Sequence, residues 1–192
     1  IMVVGIMSSI ISAPLGGYLS EHFSWHTSFW FMAAYSGIAF VLFFLFFKET
    51  LVEKDFRALK PSILLENFAA IITNRIFIRN VICGGFVLSG LVAYLNSSAG
   101  VIIGIFDIKP ATYGLLYSAI MIGYTIAAVV AGKLIDYLHV NTLIKIGSFA
   151  VAGGGILMLS FALAEINHVL AVIGPMIIFM VGFAFLVPQT IA

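Results

Sequence analysis

The sequence contains few charged residues. Asp, Glu, Lys and Arg together make up 9% of its 192 residues, whereas 62% are apolar. In a soluble domain about a quarter of the residues are charged, so this chain has too few charges to cover a soluble globule. Its apolar, aromatic-rich composition also excludes a disordered chain, and a net charge of +1 provides no surface for a polyanion such as nucleic acid. With a soluble domain and a disordered chain excluded, a membrane protein is the class that remains.

The residues that catalytic and metal sites require are also scarce. Cys83 is the one cysteine, which excludes a disulfide framework within the chain and a zinc cluster built from cysteines. His22 and His26 are four residues apart, but no third ligand lies near them in the sequence. The apolar segments contain neither the nucleophile and base of a membrane-embedded hydrolase nor the polar stripe of a channel pore. We therefore expect a protein that is not an enzyme and that holds no cofactor or metal.

Six apolar segments are long enough to cross a bilayer. About twenty helical residues cover a hydrocarbon core of roughly 30 Å, and none of the six has a charge in its middle, where one costs about 2.5–3.5 kcal/mol. Helices are expected because lipid cannot hydrogen-bond to exposed backbone groups. The predicted fold is an all-α membrane protein with six transmembrane helices at 1–19, 28–47, 80–106, 113–132, 143–164 and 168–187.

The basic residues are distributed unevenly between the two ends of these spans. Six of the nine Lys and Arg residues lie in the connection 48–79, and Lys133 and Lys145 fall on the same side, against Lys109 alone on the other. The positive-inside rule therefore places 48–79 in the cytoplasm. Apolar residues at helical spacing after Pro61 predict an amphipathic helix on the membrane surface within this loop. The alternative is a tether without regular structure.

The first apolar segment and its neighbour carry a motif. Residues 12–19 read Ser-Ala-Pro-Leu-Gly-Gly-Tyr-Leu, with Pro14, Gly16 and Gly17, and Trp25, Phe29 and the pair Glu49-Thr50 follow. This order resembles the major facilitator superfamily, and more narrowly the Bcr/CflA group of bacterial drug–proton antiporters. In that group the fifth helix ends in a Pro-x-x-Gly-Gly antiporter motif, whereas here the proline stands one position later.

Two further matches follow in the same order as in that superfamily. Gly132-x-Leu134-x-Asp136 at the end of the fourth span resembles the second-half copy of its Gly-x-Leu-x-Asp loop motif. Gly182 with Pro188 is similar to its glycine-rich tenth helix. The resemblance thus covers nearly the whole chain as helices five to ten of a twelve-helix fold, and we expect both ends to be cut from a longer protein.

The resemblance implies a division of the chain. Residues 1–47 would be the last two helices of the N-terminal half, 48–79 the cytoplasmic loop between the halves, and 80–192 the first four helices of the C-terminal half. It also implies a multi-pass protein of the bacterial inner membrane that exports drugs or small amphiphilic molecules by proton-coupled alternating access. A same-fold transporter of a metabolite or siderophore, and a non-transporting six-span remnant or scaffold, are the alternatives.

Two groups of residues are candidates for this function. Polar, aromatic and Met side chains within the spans suit a cavity for varied amphiphiles, although ordinary helix packing explains any single one of them. The predicted substrate-binding residues are Tyr94, Asn96, Ser97, Ser98, Tyr117, Met121, Tyr124 and Gln189. The predicted conformational residues, where a proline bends a helix or a glycine admits a neighbour, are Pro14, Gly16, Gly17, Gly132, Asp136 and Pro188.

Proton coupling requires a titratable group within the membrane, and the six spans contain no acid at mid-membrane. If the protein is a proton antiporter, the coupling carboxylate is expected in helices outside this chain. The expected partners are therefore a small-molecule substrate, protons, the lipid bilayer and the remaining helices of the same chain, with no nucleic acid.

Overall fold

The computed structural model describes residues 2–47 and 60–191, with side chains from Ser8 onward except at Asn67 and at 189–191. These residues form seven α-helices, and the described segments contain no strand. The helices are α1 (Met2–His22), α2 (Trp25–Phe46), α3 (Pro61–Thr73), α4 (Arg75–Ala99), α5 (Pro110–Leu134), α6 (Val140–Leu163) and α7 (Val169–Ile191). A π-helical turn, Gly100–Ile105, extends α4 at its end.

Five of these helices are long and apolar enough to cross a membrane: α2, α4 with its π-helical turn, α5, α6 and α7. They confirm the predicted spans that begin at 28, 80, 113, 143 and 168. The first predicted span, 1–19, coincides from Met2 onward with α1, a helix of 21 residues whose first side chains are not described. The predicted amphipathic helix after Pro61 is α3, while residues 48–59 of the loop lie outside the described residues.

Several helices begin before the apolar segment that predicted them. In α4 the Asn74 side chain accepts hydrogen bonds from the backbone N–H groups of Ile76 (3.0 Å) and Phe77 (3.3 Å), so the helix starts at this cap. It therefore begins at Arg75, five residues before the predicted span. At α5 the helix begins at Pro110, because proline suits the first helical position, where the missing N–H costs nothing.

The core of the protein surrounds α7, which packs against α4, α5 and α6. Side chains buried there include Met176, Met180 and Phe183 of α7 with Ile120 of α5 and Ile102 of the π-helical turn. In contrast, α2 has no buried residue and touches mainly α1. The aromatic surface of α2 therefore lies outside the packed bundle, as expected for a helix that faces lipid or other protein segments.

Candidate functional site

Helix α1 packs against α5 at backbone contact distance. A Cβ added to Gly17 would collide with the carbonyl oxygen of Pro110, and one added to Gly114 would lie 2.5 Å from the carbonyl oxygen of Ala13 and 2.7 Å from Cα of Pro14. Only glycine permits such an approach, as in membrane helix pairs built on small residues. We call this contact the α1–α5 seam. The seam thus places Gly17 and Pro14, two of the predicted conformational residues, against α5, and their role in a conformational change stays a prediction.

Gly16 differs from its neighbour. A Cβ added there would meet nothing within 4 Å, so Gly16 makes no close helix contact with the described residues. One residue along a helix turns the side chain by about 100°, which is why only one of the two glycines faces α5.

The seam also contains a hydrogen bond between the helices. Ser118 Oγ lies 2.7 Å from the backbone carbonyl oxygen of Ile10 in α1 and 3.0 Å from that of Gly114 in its own helix. Ser118 is buried, with 7% of its surface exposed. A buried polar group of this kind stabilises a membrane protein only when it finds such a partner.

At the end of the seam where α1 stops and α5 begins, a carboxylate contacts the first turn of α5. Glu21 Oε2 accepts a hydrogen bond of 3.2 Å from the backbone N–H of Ala111 in the first turn of α5. The first N–H groups of a helix lack partners within the helix, and the helix dipole favours a negative charge there. Lys109 Nζ lies 3.7 Å from Glu21 Oε1, but the lysine side chain is 78% exposed. The carboxylate therefore acts mainly as a cap on α5.

Helices α6 and α7 form a second seam of small residues. A Cβ at Gly182 would lie 2.6 Å from the carbonyl oxygen of Gly147, and one at Gly154 would lie 2.8 Å from that of Pro175. Gly153 and Gly155 have open space at the same position. Of the three consecutive glycines, the central one thus provides the packing contact.

A cavity of about 530 Å³ lies between α4, α6 and the beginning of α7. Its volume falls in the range of small-molecule sites, and most of its wall is apolar. Met, Phe and small residues dominate the lining, with Glu165 and Asn167 from the α6–α7 turn. The lining includes the polar side chains of Tyr94, Ser97, Ser98 and Glu165 and the large apolar side chains of Met158, Met176 and Phe179.

Three of the predicted substrate-binding residues meet at this cavity: Tyr94, Ser97 and Ser98. Ser98 Oγ is 2.8 Å from the hydroxyl oxygen of Tyr113 in α5. The hydroxyl of Tyr94 is buried and has no hydrogen-bond partner among the described residues. A tyrosine hydroxyl can both donate and accept a hydrogen bond, so this one is available to a bound molecule.

The other predicted substrate-binding residues lie elsewhere. Asn96 is exposed and donates a hydrogen bond of 3.0 Å to the carbonyl oxygen of Val92 in its own helix. Met121 is buried in the core, Tyr117 packs against that core, and Tyr124 packs edge-on against Phe183 with ring centres 5.9 Å apart. None of these four lines the 530 Å³ cavity. The side chain of Gln189 lies outside the described residues.

The remaining conformational residues make few contacts in the described chain. Gly132 has open space around it, and Asp136 is exposed without an ion pair or side-chain hydrogen bond to a described residue. Helix α7 continues through Pro188 to Ile191.

Two residues of the α1–α5 contact, Ser118 and Glu21, are not among the residues predicted from the sequence. Ser118 follows Gly114 at a spacing of four, and this small-xxx-small pattern would have marked the seam face of α5. Glu21 gave no comparable signal, because its partner Ala111 is 90 residues away. Among the described residues no group of three His, Cys, Asp or Glu side chains is placed to hold a metal ion.

Apolar helices of spanning length, packed through close glycine contacts and with a cavity between α4, α6 and α7, define a multi-pass α-helical membrane protein. The model of the Major Facilitator Superfamily matches residues 1–192, and the chain belongs to this superfamily. The family indicates a transporter rather than an enzyme.

The chain is similar to a bicyclomycin resistance protein homolog of Haemophilus influenzae, with 21% identity over 146 residues. The match covers 76% of this chain and 37% of that relative, so the chain corresponds to little more than a third of its length. A shorter stretch is similar to the MFS-type transporter tstD of Talaromyces stipitatus, with 44% identity over 48 residues, which is 25% of this chain and 9% of that relative. Another is similar to the MFS-type transporter phiD of a fungal species, with 40% identity over 45 residues, which is 23% of this chain and 7% of that relative.

Proposed function

We propose that this chain is part of a secondary active transporter that exports drugs or other small amphiphilic molecules in exchange for protons. The α1–α5 seam is the observation that carries the proposal. It joins a helix before the charged loop to a helix after it, at contacts that involve Gly17, Gly114 and Ser118. A transporter with alternating access needs such an interface between two halves that rock against each other.

The proposal assigns the segments of the chain to these halves. Residues 1–47 belong to the N-terminal half, 48–79 to the cytoplasmic loop between the halves, and 80–192 to the C-terminal half. The seam then lies between the halves, whereas the Gly147–Gly182 contact of α6 and α7 lies within one of them. Further helices of the same chain complete both halves in this proposal, which places the protein in a bacterial inner membrane.

The cavity between α4, α6 and α7 is proposed as part of the substrate path. Its Met158, Met176 and Phe179 side chains adapt to ligands of different shape. The hydroxyl of Tyr94 supplies a hydrogen bond to a polar group of the ligand. Glu165 is the one acid in the lining and is exposed in the turn after α6, so the mouth of the cavity favours cationic amphiphiles over neutral ones.

The coupling site is proposed to lie in helices outside this chain. The described acids are Glu21, Glu66, Asp107, Asp136 and Glu165, and each stands at a helix end, in a turn or on α3. None is placed to carry a proton through the middle of a spanning helix. The similarity to a bicyclomycin resistance protein homolog of Haemophilus influenzae supports a drug as the exported molecule.

An efflux assay tests this function. The complete reading frame that contains this chain is expressed in a bacterial host without its main exporters, and cellular accumulation of ethidium is measured with and without a protonophore. We expect accumulation to fall and the protonophore to abolish the difference. The variant Glu165→Gln should weaken the efflux of ethidium more than that of a neutral amphiphile, with Asp107→Asn, also in an exposed turn, as the matched control. Unchanged accumulation despite normal amounts of protein in the membrane would contradict drug export.

A further inference from the structure

A second cavity opens between the first turns of α4 and α6, at the end of the bundle opposite Glu165. Its volume is about 430 Å³, and it is lined by Arg79, Asn80, Cys83, Asn141, Ile144 and Lys145. The residues on each helix are spaced by three and four positions, so one face of α4 and one face of α6 form the two walls. Two cations and two carboxamides thus converge on one cleft.

The charges of this cleft are not neutralised within the described chain. Neither Arg79 nor Lys145 forms an ion pair with a described acid, and both are exposed. No described acid lines the cavity. Arginine and lysine supply donors for a phosphate group, and the carboxamides of Asn80 and Asn141 add further donors. The cleft therefore has the chemistry of a site for a phosphate monoanion.

An apolar groove continues from the cleft. The adjoining cavity, of about 570 Å³, shares Arg79 and Cys83 with it and is otherwise lined by Ile72, Thr73, Arg75, Ile78 and Ile82. Ile82 is 53% exposed, and three isoleucines give this part of the surface the character of a hydrocarbon contact. A soluble phosphate makes no favourable contact with such an apolar wall, whereas the acyl chains of a lipid do make one.

Arg79 and Lys145 lie close to the ends of their helices, at the depth where lipid headgroups are expected. Arg79 is the fifth residue of α4 and Lys145 the sixth of α6, which at 1.5 Å per residue places them about 6–8 Å along their helices. Their end of the bundle carries the excess of positive charge and is therefore assigned to the cytoplasmic side. Basic pockets between helices on that side suit anionic lipid headgroups.

We propose that the cleft of Arg79, Asn80, Asn141 and Lys145 binds the headgroup phosphate of an anionic phospholipid of the cytoplasmic leaflet. The acyl chains of this lipid lie along Ile78 and Ile82. This site is separate from the substrate path and does not depend on the transport proposed above.

Native mass spectrometry of the complete purified protein tests the proposal, with phosphatidylglycerol, phosphatidylcholine and glycerophosphoglycerol as probes. We expect phosphatidylglycerol to be retained in preference to phosphatidylcholine. Arg79→Gln and Lys145→Gln should each weaken its binding about fivefold, and the double variant roughly 25-fold. Lys133→Gln is the matched control, because this exposed lysine lies at the same end of the bundle outside the cleft.

A pair of apolar variants separates a lipid from a soluble phosphate. Ile82→Gln should weaken phosphatidylglycerol binding, whereas Val81→Gln, equally exposed and outside both cavities, should leave it unchanged. Retention of phosphatidylglycerol by the double cation variant at the level of the unmodified protein would overturn the site. Displacement of the lipid by glycerophosphoglycerol at equal concentration would overturn the lipid assignment and make the cleft a site for soluble phosphates.

Discussion

The hydroxyl of Ser118 lies 2.7 Å from the backbone carbonyl oxygen of Ile10, and this contact joins α5 to α1 across 108 positions of sequence. It lies one helical turn from Gly114, whose missing side chain lets α1 approach. The hydrogen bond and the close packing depend on each other, because the hydroxyl reaches the opposite backbone only where the two helices touch.

Removal of this hydroxyl is expected to weaken the seam. Ser118→Ala should lower the free energy of unfolding by about 0.6 kcal/mol, the average for a hydrogen bond between membrane helices, and by about 1.7 kcal/mol at most. Thermal unfolding of the purified complete protein measures this change. Ser160→Ala is the control, because Ser160 is exposed and bonds only to the carbonyl oxygen of Ile156 in its own helix. Equal melting temperatures for the two variants would argue against a stabilising role of the Ser118 bond.

The two adjacent glycines of α1 provide a sharper comparison. Gly17→Ala adds a methyl group against the backbone of Pro110, and such overpacking should cost about 1–3 kcal/mol. Gly16→Ala adds the same group in open space, and the gain in backbone rigidity should stabilise the helix by roughly 0.5–1 kcal/mol. Melting temperatures should therefore move in opposite directions, and a loss of stability in both variants would contradict the seam geometry.

Glu21 and Lys109 form one ion pair but are expected to contribute unequally. Glu21→Ala removes the cap on the Ala111 N–H and should destabilise the protein by about 1–2 kcal/mol. Lys109→Ala removes only an exposed partner and should cost about 0.5 kcal/mol or less. The same unfolding measurement at low and high salt checks both values. A larger effect of the lysine variant would show that the ion pair, and not the cap, holds this end of the seam.

Tyr94→Phe separates ligand binding from folding. Its hydroxyl has no described protein partner, so its removal should leave the melting temperature unchanged or slightly higher. If the hydroxyl binds the exported molecule, the concentration for half-maximal efflux should rise about fivefold, the equivalent of one hydrogen bond. Tyr137→Phe, at a side chain 85% exposed, is the control. A fall in stability without a change in efflux would make Tyr94 a packing residue.

The helices could be predicted well from the sequence, because a helix that crosses a bilayer needs a long apolar segment and such segments are easy to recognise. The ends were less predictable. Arg75 and Arg79 were assigned to the loop, since charge marks the limit of an apolar segment, whereas the Asn74 cap begins the helix before them. Local hydrogen bonds, and not hydropathy, decide where a helix starts.

The site was predictable only in part. Tyr94 and Ser98 are four residues apart, a spacing that places both on one face of a helix, and both line the same cavity. Asn96 was grouped with them by polarity, but two residues along a helix reverse the direction of a side chain, so it faces outward. Contacts between distant helices, such as Glu21 with Ala111, leave no periodic signal in a single sequence.

Cross-linking of the seam tests the central claim most directly. Cysteines at Ile10 and Ser118 are introduced into the complete protein after replacement of Cys83 and any other cysteine, and the two single-cysteine proteins serve as controls. The account predicts that a cross-link between α1 and α5 stops ethidium efflux and that reduction restores it, because the two halves can no longer rock. Undiminished efflux with the seam fully cross-linked would contradict it.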